Sequence, residues 1–165
     1  MAASAKLRPG VVCTILGGLL LAALPLAPAR ACSLLGQSAQ EDTLVEWVNT
    51  YRESFQRGPV DGDTVLATVA DVVSTVVSNE GNLLKIRAQS RNFLLDQFTT
   101  VRILVMKGKK LEDVWRRMTN NTYPSSVLRR EGAQHIGVGI VDNGSNVWVT
   151  LIMGGDLITP LGCLP

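Results

Sequence analysis

The sequence contains very few of the residues from which proteins commonly build catalytic and metal sites. It has one histidine, His135, and three cysteines, none of which belongs to a C-x-x-C pair. A metal site with two histidines therefore cannot form within one chain, and the cysteine spacing does not indicate a zinc site. The sequence also has no G-x-S-x-G motif, no phosphate-binding loop and no internal repeat. It predicts no catalytic residue, no metal ligand, no cofactor and no nucleic-acid partner.

The N-terminus has the composition of a secretory signal peptide. Lys6 and Arg8 precede an apolar run over residues 11–27, and small residues follow this run. We expect cleavage after Ala31 and therefore a secreted or periplasmic protein with no transmembrane segment. The alternatives are an uncleaved signal anchor and a lipoprotein modified at Cys32.

Removal of the signal peptide, residues 1–31, leaves a single domain, residues 32–165. The formal net charge of the full sequence is +2, and loss of three basic residues with the signal peptide makes that of the domain −1. Residues 32–83 hold 8 acidic and 2 basic residues, whereas residues 84–165 hold 6 acidic and 11 basic ones. The basic half is either a solvated face or a surface for an anionic partner. Its prominent members are Lys107, Lys109, Lys110, Arg116 and Arg117.

Two cysteines, Cys32 and Cys163, remain in the domain after cleavage. In an oxidising compartment we expect them to form a disulfide. Closing a loop of this length stabilises a fold by about 4–5 kcal/mol in the chain-entropy model. The bond requires the two ends of the domain to lie side by side, which is common in compact domains.

A β-hairpin is the element that the local sequence defines best. Two runs rich in β-branched residues, 135–141 and 146–153, flank the Asn143-Gly144 pair, which is typical of a type I′ turn. Apolar residues occur on both faces of these runs, which predicts a central position in a sheet covered by helices. Gly137 and Gly139, within the first strand, predict close packing beneath a tryptophan.

Helical spacing and capping signals predict several helices. The capping-box pattern at Ser38 predicts a helix over residues 39–56, and Asp63 can cap a second helix. Because valines lower helix propensity, the segment 65–77 is predicted as a buried helix with a strand as the alternative. The remaining predictions are a helix over 82–98, a strand over 101–106, a helix over 111–118, and a turn-rich segment over 119–126 that Pro124 keeps from being helical.

The order of several short motifs resembles the CAP domain of cysteine-rich secretory, antigen 5 and pathogenesis-related proteins. The resemblance spans residues 44–154. The residues that carry it are, in order, Trp47 to Arg52, Gly58-Pro59-Val60, Asp63 with Leu66 and Ala70, Val114-Trp115, Pro124, Leu128, and Ile136 to Ile140 with Trp148-Val149. It implies an α+β fold, an α-β-α sandwich whose central antiparallel sheet contains a C-terminal hairpin.

The residues that characteristically line the CAP cavity are missing. In the family this cavity holds two histidines and two acidic residues, which bind a divalent metal in some members. By spacing from the motifs, the two histidine positions fall at Val73 and Ser126. The resemblance therefore implies a non-catalytic domain that binds a protein, a surface or an apolar ligand.

Two other functions are consistent with the sequence. One is a secreted hydrolase with an unrecognised site around Ser126 and His135. The other is a small disulfide-linked interaction protein that is unrelated to the CAP domain. In a eukaryotic source, the sequons that begin at Asn120 and Asn143 are additional candidates for N-glycosylation.

Overall fold

The protein was analysed as a computed structural model, which describes residues 38–80 and 82–158. Cys32, Cys163 and the predicted signal peptide lie outside the described residues. The helices are α1 (Ala39–Glu53), α2 (Thr64–Glu80), α3 (Leu83–Leu95), α4 (Leu111–Asn120) and α5 (Thr122–Leu128). The strands are β1 (Asp61–Gly62), β2 (Val101–Gly108), β3 (His135–Asp142) and β4 (Val147–Gly154).

The two strands of the predicted hairpin, β3 and β4, occupy the centre of the sheet. The strand order is β1-β3-β4-β2, and β4 runs antiparallel to both of its neighbours. The short strand β1 is parallel to β3 and pairs only with His135 and Ile136. The predicted central position of the hairpin is therefore confirmed.

Helices cover both faces of the sheet. On one face, α2 and α3 pack against the strands through a cluster that includes Leu66, Leu94 and Ile152. On the other face, α1, α4 and α5 pack through a larger cluster that includes Leu44, Met118 and Leu128. The arrangement is an α-β-α sandwich of the α+β class, as the resemblance implied.

The side chains predicted to start the first two helices cap them. The Glu41 backbone N–H donates to Ser38 Oγ at 3.4 Å, and the Ser38 N–H donates to Glu41 Oε2 at 2.7 Å. Asp63 Oδ1 accepts from the N–H groups of Val65 and Leu66, both at 2.9 Å. The valine-rich segment is helical because its apolar side chains recur at helical spacing and are buried, which outweighs their modest intrinsic propensity. The buried members are Leu66, Ala70, Val73 and Val77.

The glycines of β3 allow the backbone of α2 to approach the sheet closely. A Cβ on Gly137 would lie 2.1 Å from the carbonyl carbon of Leu66. A Cβ on Gly139 would lie 2.4 Å from the carbonyl carbon of Ala70. Close packing at these glycines is confirmed, but the prediction of a tryptophan above them is wrong, because the packed element is a helix backbone.

Two predictions of local structure are also wrong. The segment predicted as turn-rich contains α5, in which Pro124 is the third residue, where a backbone N–H has no partner within the helix. The hairpin loop is longer than a two-residue type I′ turn, and within it only Gly144 has a positive φ, 79°. Asn143 Oδ1 instead accepts from the N–H groups of Ser145 at 3.2 Å and Asn146 at 2.9 Å.

Candidate functional site

Asn49, in the Asn-x-x-Arg motif of α1, has a structural role. Its Nδ2 donates to the Val60 carbonyl at 3.1 Å, and its Oδ1 accepts from the Val60 N–H at 2.9 Å. The side-chain amide thus pairs with the backbone as a neighbouring strand would. It holds the segment that leads into β1 against α1.

Arg52, in the same motif, joins α1 to two other segments. The residue is 2% exposed, and its Nε donates to the Gly58 carbonyl at 2.8 Å. Its two terminal nitrogens donate to carbonyl oxygens at the end of α5 and in the loop that follows: Leu128 (2.7 Å), Arg130 (3.2 Å) and Ala133 (3.3 Å). Burial, together with the positive charge of Arg57, lowers the pKa of Arg52. The hydrogen bonds of Asn49 and Arg52 therefore give the motif a role in stabilising the fold.

The two positions that spacing assigns to the family's histidines lie on different helices. Val73 is fully buried in α2, which packs on the glycines of β3. Ser126 is exposed on α5, on the other face of the sheet, and its hydroxyl donates to the Tyr123 carbonyl at 2.7 Å. Neither side chain offers a metal ligand of the histidine type. Within residues 38–80 and 82–158, no group of three or more His, Cys, Asp or Glu side chains is arranged to hold a metal.

The alternative hydrolase site is not assembled by the fold. The His135 ring packs edge-on against Phe98, with 5.8 Å between ring centroids. Phe98 belongs to the cluster beneath α2 and α3, whereas Ser126 lies on α5 across the sheet. General-base activation of a serine requires the two side chains to be within hydrogen-bonding reach.

An open groove brings together part of the predicted basic surface. It has a volume of about 600 Å³ and lies where β2 and β4 meet the first turns of α3 and α4. We call it the basic groove. Its lining comprises Leu83, Val105, Met106, Lys107, Gly108, Lys109, Asp113, Arg117, Asn146 and Trp148.

Two cations of the basic groove, Lys107 and Arg117, are held against an apolar and a backbone group, respectively. Lys107 Nζ lies 5.0 Å from the centroid of the Trp148 ring, a cation–π geometry. Arg117 Nη1 donates to the Lys107 backbone carbonyl at 2.8 Å, which holds a second positively charged group against β2. One carboxylate, that of Asp113, also lines the groove, and its oxygen lies 3.8 Å from a nitrogen of Arg116. The groove therefore combines an apolar floor with excess positive charge.

The structure brings together three of the five predicted basic residues and places a tryptophan beside them. Lys107, Lys109 and Arg117 line the basic groove, whereas Lys110 lines a neighbouring depression beside α1. The sequence indicated Trp148 as an apolar residue of the hairpin and as part of a CAP-like motif, and not as part of a binding surface. It joins the groove because β2 and β4 place it directly opposite Lys107. That register depends on pairing between distant segments, which sequence periodicity does not specify.

Comparisons with known proteins give matches for the structure alone. No protein-family model matches the sequence, and no curated protein matches it.

The structure is similar to an outer surface protein from Borrelia burgdorferi, with a TM-score of 0.59 and 14% identity over 70% of this chain and 92% of that chain. It is also similar to venom allergen-like protein 4 from Schistosoma mansoni, with a TM-score of 0.58 and 10% identity over 73% and 91% of the two chains. A cysteine-rich secretory protein from Staphylococcus aureus has a TM-score of 0.58 and 15% identity, and the match covers 71% of this chain and 38% of that one. The chain has the CAP fold.

The CAP fold confirms the resemblance that the order of the motifs indicated. Identities this low show a shared architecture and carry no activity from one protein to another. None of the five helices in the described part of the chain combines the length and hydropathy that a bilayer crossing requires. Asn120 and Asn143 are exposed, as N-glycosylation would require, and their use remains a prediction.

This CAP fold also contains an unusual pair of carboxyl groups between α1 and α2. Partial burial of the carboxyl group raises the pKa of Asp71 to about 6, although the residue as a whole is exposed, and the charge of Glu41 and a hydrogen bond to its side chain add to the rise. Glu41 is held in place by the capping box, so its carboxylate cannot turn away without loss of that cap. Asp71 is therefore protonated more readily in the folded protein than in the unfolded chain.

Replacement of Asp71 with asparagine is expected to flatten the dependence of stability on pH. Because the folded pKa lies above the unfolded value of 3.8, the contribution of Asp71 to the free energy of unfolding falls as pH rises from about 4 to about 6. Asp71→Asn should be more stable than the native protein above pH 6, by no more than about 1 kcal/mol because water screens this exposed side chain. The gain should vanish near pH 4. Urea denaturation across this range measures the effect, and parallel curves for the two proteins would contradict it.

Proposed function

We propose that the chain is an extracytoplasmic, non-catalytic CAP-like domain that binds an anionic partner in the basic groove. The observation that carries this proposal is the position of the Lys107 ammonium group above the Trp148 ring, together with the Arg117 guanidinium group that is bound to the Lys107 backbone carbonyl. Lys107, Lys109 and Arg117 are all exposed and therefore accessible to an anion, and the contact with the Trp148 ring holds the Lys107 ammonium group at the groove. The exposed apolar lining favours a partner that also buries some apolar surface.

Two observations support an extracytoplasmic location. The first is the signal-peptide pattern of residues 1–31. The second is that two of the similar structures are those of an outer surface protein and a secretory protein. A disulfide between Cys32 and Cys163 belongs to the same proposal, because it needs an oxidising compartment.

Charge reversal in the basic groove tests the proposal. The probe is a fluorescent peptide of about ten residues in which glutamate and threonine alternate, and its affinity is measured by fluorescence anisotropy. Lys107→Glu/Arg117→Glu is expected to weaken the affinity about tenfold or more, because two attractive contacts become repulsive. The matched control is Lys85→Glu/Arg91→Glu, which makes the same change in net charge at two exposed sites on α3 outside the groove.

Vesicles of phosphatidylglycerol and of phosphatidylcholine extend this test to surfaces. The proposal expects the control variant to keep most of the affinity of the native protein for the anionic probes. Equal loss in both double variants would indicate a nonspecific effect of net charge and would count against the groove. Equal binding to anionic and neutral vesicles, with no affinity for the peptide, would also contradict the proposal.

A further inference from the structure

Strand β2 forms one edge of the sheet. Its inner side pairs with β4 over all eight of its residues. Among the described residues no strand pairs with its outer side. An edge strand of this kind presents backbone N–H and C=O groups with which another extended chain can pair.

The hydrogen bonds at the ends of β2 show which residues face outward. On the β4 side, the Thr100 carbonyl accepts from the Gly155 N–H at 2.9 Å. On the outer side, the Val101 carbonyl accepts from Arg102 Nη1 at 3.1 Å and the Lys107 carbonyl accepts from Arg117 Nη1 at 2.8 Å. Because backbone groups alternate along a strand, the odd-numbered residues of β2 direct their N–H and C=O groups away from β4.

The accessible part of this edge coincides with the basic groove. Ile103 is only 2% exposed, whereas Val105 and Lys107 line the groove and are partly or fully exposed. The outward groups there are the N–H and C=O of Val105 and the N–H of Lys107. The Val101 and Lys107 carbonyls already accept hydrogen bonds from the guanidinium groups of Arg102 and Arg117. The outward N–H and C=O groups of residue 105 therefore lie between two positively charged groups.

We infer that this part of β2 binds an extended peptide segment with acidic side chains, which pairs with Val105 and Lys107 as an added strand. The inference rests on the proposed function and names the partner class for the same groove. The main-chain hydrogen bonds would supply affinity for an extended backbone, and the positive charges of Lys107, Lys109 and Arg117 would select carboxylates. A lipid headgroup could use the charges but has no backbone with which to pair.

N-methylation of the probe peptide separates strand pairing from charge attraction. Three peptides with the same glutamate and threonine sequence are compared on the native protein: one unmethylated, one N-methylated at every second residue, and one N-methylated at every residue. An added strand turns the N–H groups of alternate residues toward β2, so the half-methylated peptide should keep its affinity within about threefold. The fully methylated peptide should lose about tenfold or more. Equal affinities for all three would overturn the inference, while the charge-reversal result would still decide the proposed function.

Val105→Pro tests the same contact from the side of the protein. Proline removes the outward N–H of residue 105 without breaking a hydrogen bond to β4, and edge strands tolerate it at such positions. We expect a loss of affinity for the unmethylated peptide of about tenfold or more, with the native circular dichroism spectrum retained. Val105→Thr, which keeps the N–H and the β-branched shape, should bind as the native protein does.

Three results with these variants would overturn the inference. The first is native affinity of Val105→Pro for the peptide. The second is binding to phosphatidylglycerol vesicles alone, unchanged by Val105→Pro, which would assign the groove to a lipid headgroup. The third is a dimer in analytical ultracentrifugation that Val105→Pro abolishes, in a protein with no affinity for the peptide, which would assign the edge to a second copy of this chain.

Discussion

Replacement of Gly139 with alanine is expected to lower the free energy of unfolding by about 3 kcal/mol or more. The new Cβ would lie 2.4 Å from the carbonyl carbon of Ala70 and from the backbone nitrogen of Asp71. These atoms belong to the backbone of α2, so a side-chain rotation cannot relieve the clash. The helix would have to move away from the sheet, which loosens the packing of the face that α2 covers.

Urea denaturation followed by circular dichroism measures this effect. The matched control is Gly58→Ala, because a Cβ on Gly58 meets no atom within 4 Å. That variant should stay within about 0.5 kcal/mol of the native protein. Similar destabilisation by both substitutions would show that the approach of α2 is not what requires glycine in β3.

Replacement of Arg52 with methionine is expected to cost about 3 kcal/mol or more of stability. Methionine has a similar length but no donors, so four carbonyl oxygens lose a charge-assisted hydrogen bond at once. Removal of a buried charge recovers some desolvation energy, since burial already lowers the pKa of this group. The loss should still dominate, because one buried guanidinium group supplies hydrogen bonds to four carbonyl oxygens of two segments that pack on α1.

Two further variants define the effect at Arg52. Arg52→Lys keeps the charge, but an ammonium group cannot reach all the carbonyls that the planar guanidinium group spans. The stability of this variant should therefore lie between those of the native protein and Arg52→Met. Arg57→Met, which removes a partly exposed ion pair with Glu131, should cost under about 1 kcal/mol. Equal losses at positions 52 and 57 would indicate that the network around Arg52 contributes little.

Local signals predicted several elements well. The Ser38 capping box and the Asp63 cap start helices where they were expected, because each cap is formed by residues within three positions of one another. Alternating apolar residues on both faces of the hairpin placed β3 and β4 at the centre of the sheet. The order of the motifs indicated the CAP fold although no single motif was specific.

The errors occurred where local preference competes with a larger structure. Pro124 suggested a turn, but a proline in the first turn of a helix displaces no hydrogen bond, and α5 forms. Asn143-Gly144 suggested a two-residue turn, but the Asn143 side chain bonds to backbone groups further along a longer loop. The glycines of β3 correctly indicated close packing, but the element that packs on them is α2, a helix that is distant from β3 in the sequence.

The sequence alone determined the α+β class, the central hairpin, the helix starts and the scarcity of residues for metal or nucleophilic chemistry. The class follows from the resemblance to the CAP domain, and the other properties follow from composition, periodicity and contacts between residues close together in the chain. Only the tertiary structure decided that Trp148 lies opposite Lys107, that Arg52 binds four carbonyls, and that Val105 faces an open edge beside three cations. Each of these depends on strand register or on contacts between distant segments, which the packing of the whole domain selects and no local pattern encodes.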